Sequence, residues 1–292
     1  MTHPVPSPNR GIALMVMAIL LFTTMDAAAK HLIATYPAPL VIWARFAGMF
    51  VLVLAILNRR LPVMARTRFP VLHFWRSASQ FGATGLFFVS LGYIGLAEAT
   101  AIVDINPVLV TLGAALFLGE RFGVRRAFGV LAALIGALII IRPGSDVFSL
   151  AALLPLGAAI CYSANVLLTR FLGQQESVWT AMLYASAFGT FAGAIALPWV
   201  WMPIAMQDIP VFVLVGLLGT AAQLCIIRAF SITEASVLAP FGYLGLIFSV
   251  FWGIVLFNQY PDRWTVLGAL VIATAGLYVW HRETRMAKAA QG

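Results

Sequence analysis

The chain has 292 residues, of which 62% are hydrophobic and 10% charged, with a mean hydropathy of +0.97. Soluble domains are about 45–50% apolar and roughly a quarter charged, so a single soluble domain, a disordered chain and a disulfide scaffold are all excluded. The formal net charge of +8 does not point to nucleic acid, because Lys and Arg stand in short breaks between apolar runs, none long enough to fold into a binding module.

A bilayer span takes about 20 apolar residues. Ten such segments occur in chain order, at about 11–31, 38–57, 72–92, 96–118, 124–141, 149–170, 178–198, 210–230, 234–257 and 264–281. Only the connections 58–71 and 199–209 exceed a few residues. The expected class is an all-α membrane protein with ten transmembrane helices. The first segment carries Arg10 and an Ala27-Ala28-Ala29 run that mimics a leader cleavage site, but Asp26 abuts it and removal breaks the repeat described below. It is read as a retained span.

Polar side chains inside spans are costly and face a cavity or a partner. In the first segment Asp26 and Lys30 are four apart, share a helix face and can pair. Asp26 has two further readings: an ion pair with Arg45 of the second segment, or contact with a substrate ammonium or a proton. Phe22 lies one turn before it. In the third segment Gln80, Thr84 and Phe87 or Phe88 share a face. The fourth opens with Glu98 and holds Asp104, Asn106 and Pro107, where the proline removes a backbone donor and frees the carbonyl of Val103. Tyr162, Asn165 and Thr169 share a face of the sixth segment, and Thr220, Gln223 and Ile227 one of the eighth. The ninth opens with Glu234 and carries Pro240 and Tyr243 at the stretch corresponding to Pro107. Each set serves either a small-molecule cavity or interhelical hydrogen bonding. Cys161 and Cys225 read as small packing residues, and Trp199 and Trp201 as an interfacial belt.

Fourteen Lys and Arg residues fall on one set of alternate connections and three (Lys30, Arg142 and Arg263) on the other. That bias predicts both termini in the cytoplasm and a multi-pass protein of a bacterial-type inner membrane. Ala97-Glu98-Ala99-Thr100 opens the fourth segment and Thr233-Glu234-Ala235-Ser236 the ninth, which aligns two halves of five spans, 1–145 and 146–292. An odd number of crossings inverts the second half, the architecture of many secondary transporters.

Asn106-Pro107, then Leu116-Phe117-Leu118-Gly119-Glu120-Arg121, then Gly129 and Gly136 carry a resemblance. The pattern resembles the EamA domain of the drug/metabolite transporter superfamily, and Arg45 resembles the Arg of that domain's second helix. The second half departs, with Phe257-Asn258-Gln259 where Leu-Gly-Glu is expected, so an ion-pair role for that Glu is carried by the first half alone. The resemblance implies ten spans in two inverted five-helix repeats, similar to the YddG-type amino-acid exporters.

The function expected is a secondary transporter exporting small metabolites, amino acids first, by alternating access through a central cavity. Its lining is expected to include Phe22, Asp26, Gln80, Thr84, Asp104, Asn106, Pro107, Tyr162, Asn165, Gln223, Pro240 and Tyr243. The ion-pair or coupling candidates are Asp26, Lys30, Arg45, Asp104, Glu98 and Glu234. Two rivals stand in the same class: efflux of organic cations or drugs, and transport of a nucleoside-like metabolite such as S-adenosylmethionine. An intramembrane enzyme is a remote third, because no nucleophile–base set, phosphate loop or Cys/His metal spacing occurs. No cofactor or metal is expected. The partners are a small-molecule substrate and the bilayer, with monomer and homodimer both open.

Overall fold

The computed structural model of the protein describes residues 8–117, 124–142, 150–172, 176–233 and 238–289. The described residues form helices and no strands: α1 (Pro8–Ile33), α2 (Ala38–Leu57), the one-turn α3 (Leu61–Met64), α4 (Pro70–Leu91), α5 (Leu96–Val103) and α6 (Asn106–Phe117). Then follow α7 (Val124–Ile141), α8 (Leu153–Leu172), α9 (Val178–Val200), α10 (Ile209–Ile232), α11 (Leu244–Phe257) and α12 (Arg263–Ala289). Among the described residues five helical stretches, Asn9–Ile33, Ala38–Met64, Leu150–Thr169, Val178–Val200 and Ile209–Ala229, are long and apolar enough to cross a membrane. Leu131–Ile141, Phe241–Phe257 and Arg263–Tyr278 are shorter apolar helices. Helices suit lipid because every backbone group is satisfied within its own segment.

Local chemistry sets the ends. Pro37 caps α2, and the second prolyl ring of that turn, Pro39, needs no amide donor there. Ser177 caps α9, its hydroxyl accepting from the Trp179 amide at 3.2 Å. Asp262 caps α12, its Oδ1 accepting from the Thr265 amide at 2.8 Å while Oδ2 accepts from Arg142 at 2.5 Å. The last two interactions hold the Asp262 carboxyl below the usual carboxylate range, against a partial desolvation that raises it. Asn258, where the second half lacks Leu-Gly-Glu, ends α11 in the left-handed conformation at φ 52, and the next amide returns to the Gly253 carbonyl at 2.9 Å.

The two apolar segments that carry Pro107 and Pro240 are interrupted. The fourth breaks between Val103 and Asn106, and the ninth runs as a 3-10 turn over Ala239–Tyr243 before α11. A proline cannot donate to the carbonyl four residues back, and at the first turn of a new helix it needs no donor. Pro107 and Pro240 sit at those restarts in the backbone. The helix α5 closes with the Asp104 amide on the Thr100 carbonyl at 2.9 Å, and α6 restarts with the Val108 amide on Ile105 at 3.0 Å. Glu120, Arg121 and Glu234 lie outside the described residues.

Packing is between pairs. The most extensive contacts join α1 with α10, α4 with α8, α2 with α9 and α7 with α12. The helix α2 also meets α10, α4 meets α9, and α5 meets α11. Where α7 crosses α12, Gly136 and Gly268 bring backbone against backbone: a Cβ on Gly268 would stand 2.5 Å from the Gly136 carbonyl oxygen. The glycine face of α7 thus serves an internal crossing. The largest core cluster lies at the end where α1 finishes and α2 begins, with Leu32, Leu40, Leu96 and Val215 at 1% exposure or less. At that end the Tyr36 hydroxyl donates to Asp208 at 2.6 Å and accepts from the Ala205 amide at 3.1 Å. Cys161 packs against Gly82, and Trp199 and Trp201 are exposed at the end of α9.

Candidate functional site

The helix α1 presents Met15, Ile19, Phe22 and Asp26 at helical spacing, and these four form one wall of a cavity of about 370 Å³. Opposite them α4 supplies Gln80, Thr84 and Phe87, and α8 supplies Ala158, Tyr162 and Asn165. The interrupted fourth segment gives Thr100, Val103, Asp104 and Asn106, and α10 gives Gln223 and Ile226. Gly242 and Tyr243 come from the second break and Gly245 from the first turn of α11, and Arg45 reaches in from α2. The volume falls in the range of small-ligand sites, about 300–1,000 Å³. The lining mixes aromatic and aliphatic bulk with a few polar groups from different helices.

Of the side chains singled out by sequence, Phe22, Asp26, Gln80, Thr84, Asp104, Asn106, Tyr162, Asn165, Gln223 and Tyr243 face this one space. Pro107 and Pro240 stand on the two backbone breaks beside it. Thr169 is off the cavity; its hydroxyl donates to the Asn165 carbonyl at 2.7 Å and accepts from Arg76 Nε at 2.9 Å. Thr220 and Ile227 also lie elsewhere, Thr220 on a side cleft and Ile227 in the cluster around Val53 and Met182. Phe88 is fully buried behind the wall.

Sequence reasoning missed Thr100, Thr23 and the cavity role of Arg45. Thr100 was signalled by its place one turn before Asp104. Its hydroxyl lies 2.9 Å from that of Ser249 in α11, tying the two interrupted segments together. Thr23 bonds back to the Leu20 carbonyl at 3.1 Å, so no unmet valence marks it.

The charged groups divide. Asp104 sits at the α5–α6 break with its Oδ2 buried and without a hydrogen-bond partner, and the equally unpartnered Tyr243 hydroxyl belongs to the other break. Asp26 and Arg45 attract each other across the space without forming an ion pair. Arg45 places Nη1 on the Thr84 hydroxyl at 2.7 Å and lies over the rings of Phe46 and Phe88, 5.5 and 5.4 Å from their centroids. A cleft of about 20 Å³, room for a single water, runs from Arg45 past Gln80 and Gln223 to Arg76. Arg76 is held by Thr169 and the Ala181 carbonyl.

Lys30 does not pair with Asp26. Its ammonium donates to the carbonyls of Leu91 and Ile94, at 2.7 Å each, where α4 ends. Helical spacing makes an Asp26–Lys30 pair possible, but two orphan carbonyls at a helix C-terminus are the stronger partner for a cation at that end. Glu98 lies in the first turn of α5, partly buried and close enough to Lys30 and Arg142 to feel both charges. Neither Lys30 nor Glu98 lines the cavity. Among the described residues no group of three His, Cys, Asp or Glu is placed to hold a metal ion.

Two tandem stretches, 9–142 and 149–280, match the pattern of the EamA-like transporter family. The chain belongs to the EamA-like transporter family. It is 28% identical to the pseudopaline exporter CntI of Pseudomonas aeruginosa strain UCBPP-PA14, over 91% of this chain and 94% of that protein. It is 29% identical to a riboflavin transporter of Rhizobium johnstonii, over 94% of this chain and 92% of the relative. A solved crystal structure covers 95% of this chain and 99% of its own with a TM-score of 0.64 at 20% identity, a likeness of fold alone. The family, the apolar helices and the relatives make this a multi-pass membrane protein of a transporter family that handles small metabolites.

Proposed function

We propose that the chain is a secondary transporter of a bacterial-type inner membrane that exports amino acids and amino-acid-like metabolites. It has ten spans in two inverted five-span repeats, 1–145 and 146–292, with both termini cytoplasmic. The double family match supports the repeat. So does the packing: numbering the apolar segments one to ten, the pairing of α1 with α10 and that of α4 with α8 exchange when each segment is replaced by its counterpart five further on. The contacts α2–α9, α7–α12 and α5–α11 map onto themselves under the same exchange. Both breaks fall in counterpart segments, and broken helices at a repeat interface are where such transporters hold their cargo.

The observation that carries the substrate reading is the lining of the central cavity. Two acidic side chains from different helices, Asp26 and Asp104, share it with one guanidinium, that of Arg45. A zwitterion is neutral overall and meets both signs there. The charge bias of the connections makes the tightly packed end, around Leu32, Leu40 and Leu96, the periplasmic one. The cavity lining meets that core at Met25 and includes none of Leu32, Leu40 and Leu96. Alternating access follows from the two halves rocking about the cavity, with the Thr100–Ser249 contact joining the interrupted segments at its wall.

A second reading, a nucleoside-like metabolite such as S-adenosylmethionine or an organic cation, is favoured by the four aromatic rings on the wall: Phe22, Phe87, Tyr162 and Tyr243. Sealed liposomes containing the protein and loaded with an amino-acid mixture separate the two. Selective loss of several amino acids, followed by mass spectrometry against protein-free liposomes, is the expected result. No loss under any imposed pH gradient overturns amino-acid export and leaves the aromatic cargo as the reading to test.

A further inference from the structure

The amino-acid reading leaves open which group on the protein meets the substrate's negative end. Arg45 is surrounded by protein yet not packed away, since its accessible surface opens into the cavity. A guanidinium has five N–H donors in a planar fork. Among the described residues the only hydrogen bond from Arg45 goes to Thr84, and no carboxylate lies within ion-pair distance. A charge inside the membrane costs several kcal/mol unless something offsets it. The rings of Phe46 and Phe88 offset part of that cost, and Arg45 still lines the cavity.

The neighbours are shaped for an anion. Gln80 from α4 and Gln223 from α10 bring neutral amides to the same space. Gly219 of α10 lies beside Arg45 on the side cleft, where a Cβ would stand at ordinary contact distance, 3.5 Å, from Arg45 Nε and 2.8 Å from the Met25 sulfur. The opposite charges, Asp26 and Asp104, belong to α1 and to the α5–α6 break. A dianion such as a phosphate would meet one guanidinium and two carboxylates, and repulsion would prevail. A substrate carrying only positive charge would compete with Arg45 for Asp26 and leave the open guanidinium donors unfilled. A singly charged planar carboxylate matches the fork of Arg45, and an ammonium on the same molecule answers the acidic side chains.

The geometry points to Arg45 as the residue that binds a carboxylate of the transported molecule, so that the cavity selects carboxylate-bearing metabolites over their carboxylate-free amines. This rests on the transporter reading above and adds the chemical class of the cargo. The unmet donors of Arg45 are filled by the cargo, with Gln80 and Gln223 closing around it, while Asp104 faces the ammonium.

The test loads one population of proteoliposomes with each amino acid of the mixture and its decarboxylated amine, for example arginine with agmatine and lysine with cadaverine. Release is followed for wild type, Arg45→Gln and Arg45→Lys, with protein-free liposomes as baseline. Wild type is expected to release the amino acid at least about 30-fold faster than the amine, the low end of the loss that follows removal of one partner from a buried charge pair. Arg45→Gln is expected to bring that ratio close to one, and Arg45→Lys to keep part of it. Equal wild-type rates for acid and amine overturn the carboxylate assignment and leave the transporter standing, and this arm needs no variant to fold. Arg45→Gln with an undiminished ratio overturns it as well. Release of neither compound overturns the amino-acid reading itself and this assignment with it.

Discussion

The crossing of α7 and α12 gives a prediction whose size follows from the geometry. A Cβ on Gly268 would stand 2.5 Å from the Gly136 carbonyl oxygen and 2.5 Å from Ile140 Cγ1, where ordinary contact begins at 3.4 Å. The isoleucine can swing, but the carbonyl is backbone, so the helices must part by the difference, about 0.9 Å. On Gly136 the corresponding backbone contact, to the Gly268 oxygen, is 2.9 Å, and the displacement needed is about 0.5 Å. Overpacking of this kind costs about 1–3 kcal/mol. Gly268→Ala belongs at the upper end of that range and Gly136→Ala at the lower. A further 1 kcal/mol lowers the melting temperature of a chain this long by about 2–4 °C. Once Gly268→Ala has parted the helices, Gly136→Ala meets less resistance, so the double variant loses less than the sum. Melting in detergent, read by tryptophan fluorescence, with elution volume recorded in parallel, checks all three. Gly268→Ala melting with wild type while its elution shifts toward monomer would refute the reasoning, because the glycines would then join two copies instead of two helices of one chain.

Other consequences are smaller in scale. Lys30→Met leaves the carbonyls of Leu91 and Ile94 without their charged donor and is expected to cost about 2 kcal/mol. A cysteine at Leu40 should then react with thiol reagents faster than in the Lys30 background; an unchanged rate would mean that the Lys30 contacts do not hold that packed end together. The Thr100–Ser249 contact predicts a coupling of about 0.6 kcal/mol in a double-mutant cycle of Thr100→Val and Ser249→Ala, measured by chemical denaturation, and zero coupling contradicts it. Asp262 has a lowered carboxyl pKa, so its stabilising effect is present above the unfolded value of 3.8 and fades as pH falls through the folded one. The melting difference between wild type and Asp262→Asn should therefore be constant from neutral pH down to about 5 and shrink below 4, and a difference that grows with acidity contradicts the sign. The exposed Arg142 pair limits the effect to about 0.5 kcal/mol.

Much of this was legible because lipid permits so few structures. The bounds of α2 follow from Pro37 and from the polar Asn58 that ends its apolar run. The stripe of Phe22 and Asp26 on α1 follows from helical spacing alone. Periodicity does not distinguish a kinked helix from two helices, however, so Pro107 announced a disturbance without fixing the gap between Val103 and Asn106. The partner of Lys30 was illegible for a related reason. Spacing names the neighbours on one helix, whereas the Leu91 and Ile94 carbonyls, 61 and 64 residues away in the chain, arrive through the packing of α1 on α4. Arg45 invited an ion pair because a buried cation needs an offset. That its offset is a pair of aromatic faces and a hydroxyl, with one side open, depends on how α2, α4 and α10 converge.

The claim that cargo passes through the cavity is tested most directly by plugging it after folding. In a chain with Cys161→Ala and Cys225→Ala, Gln223→Cys places one thiol on the wall. Proteoliposomes carrying it are loaded with the amino-acid mixture, treated with a trimethylammonium methanethiosulfonate, and followed by mass spectrometry against the cysteine-free parent that keeps Gln223. Release is expected to stop in the treated Gln223→Cys protein and to continue in the parent. Release at the untreated rate from protein shown by its intact mass to be fully modified would contradict it.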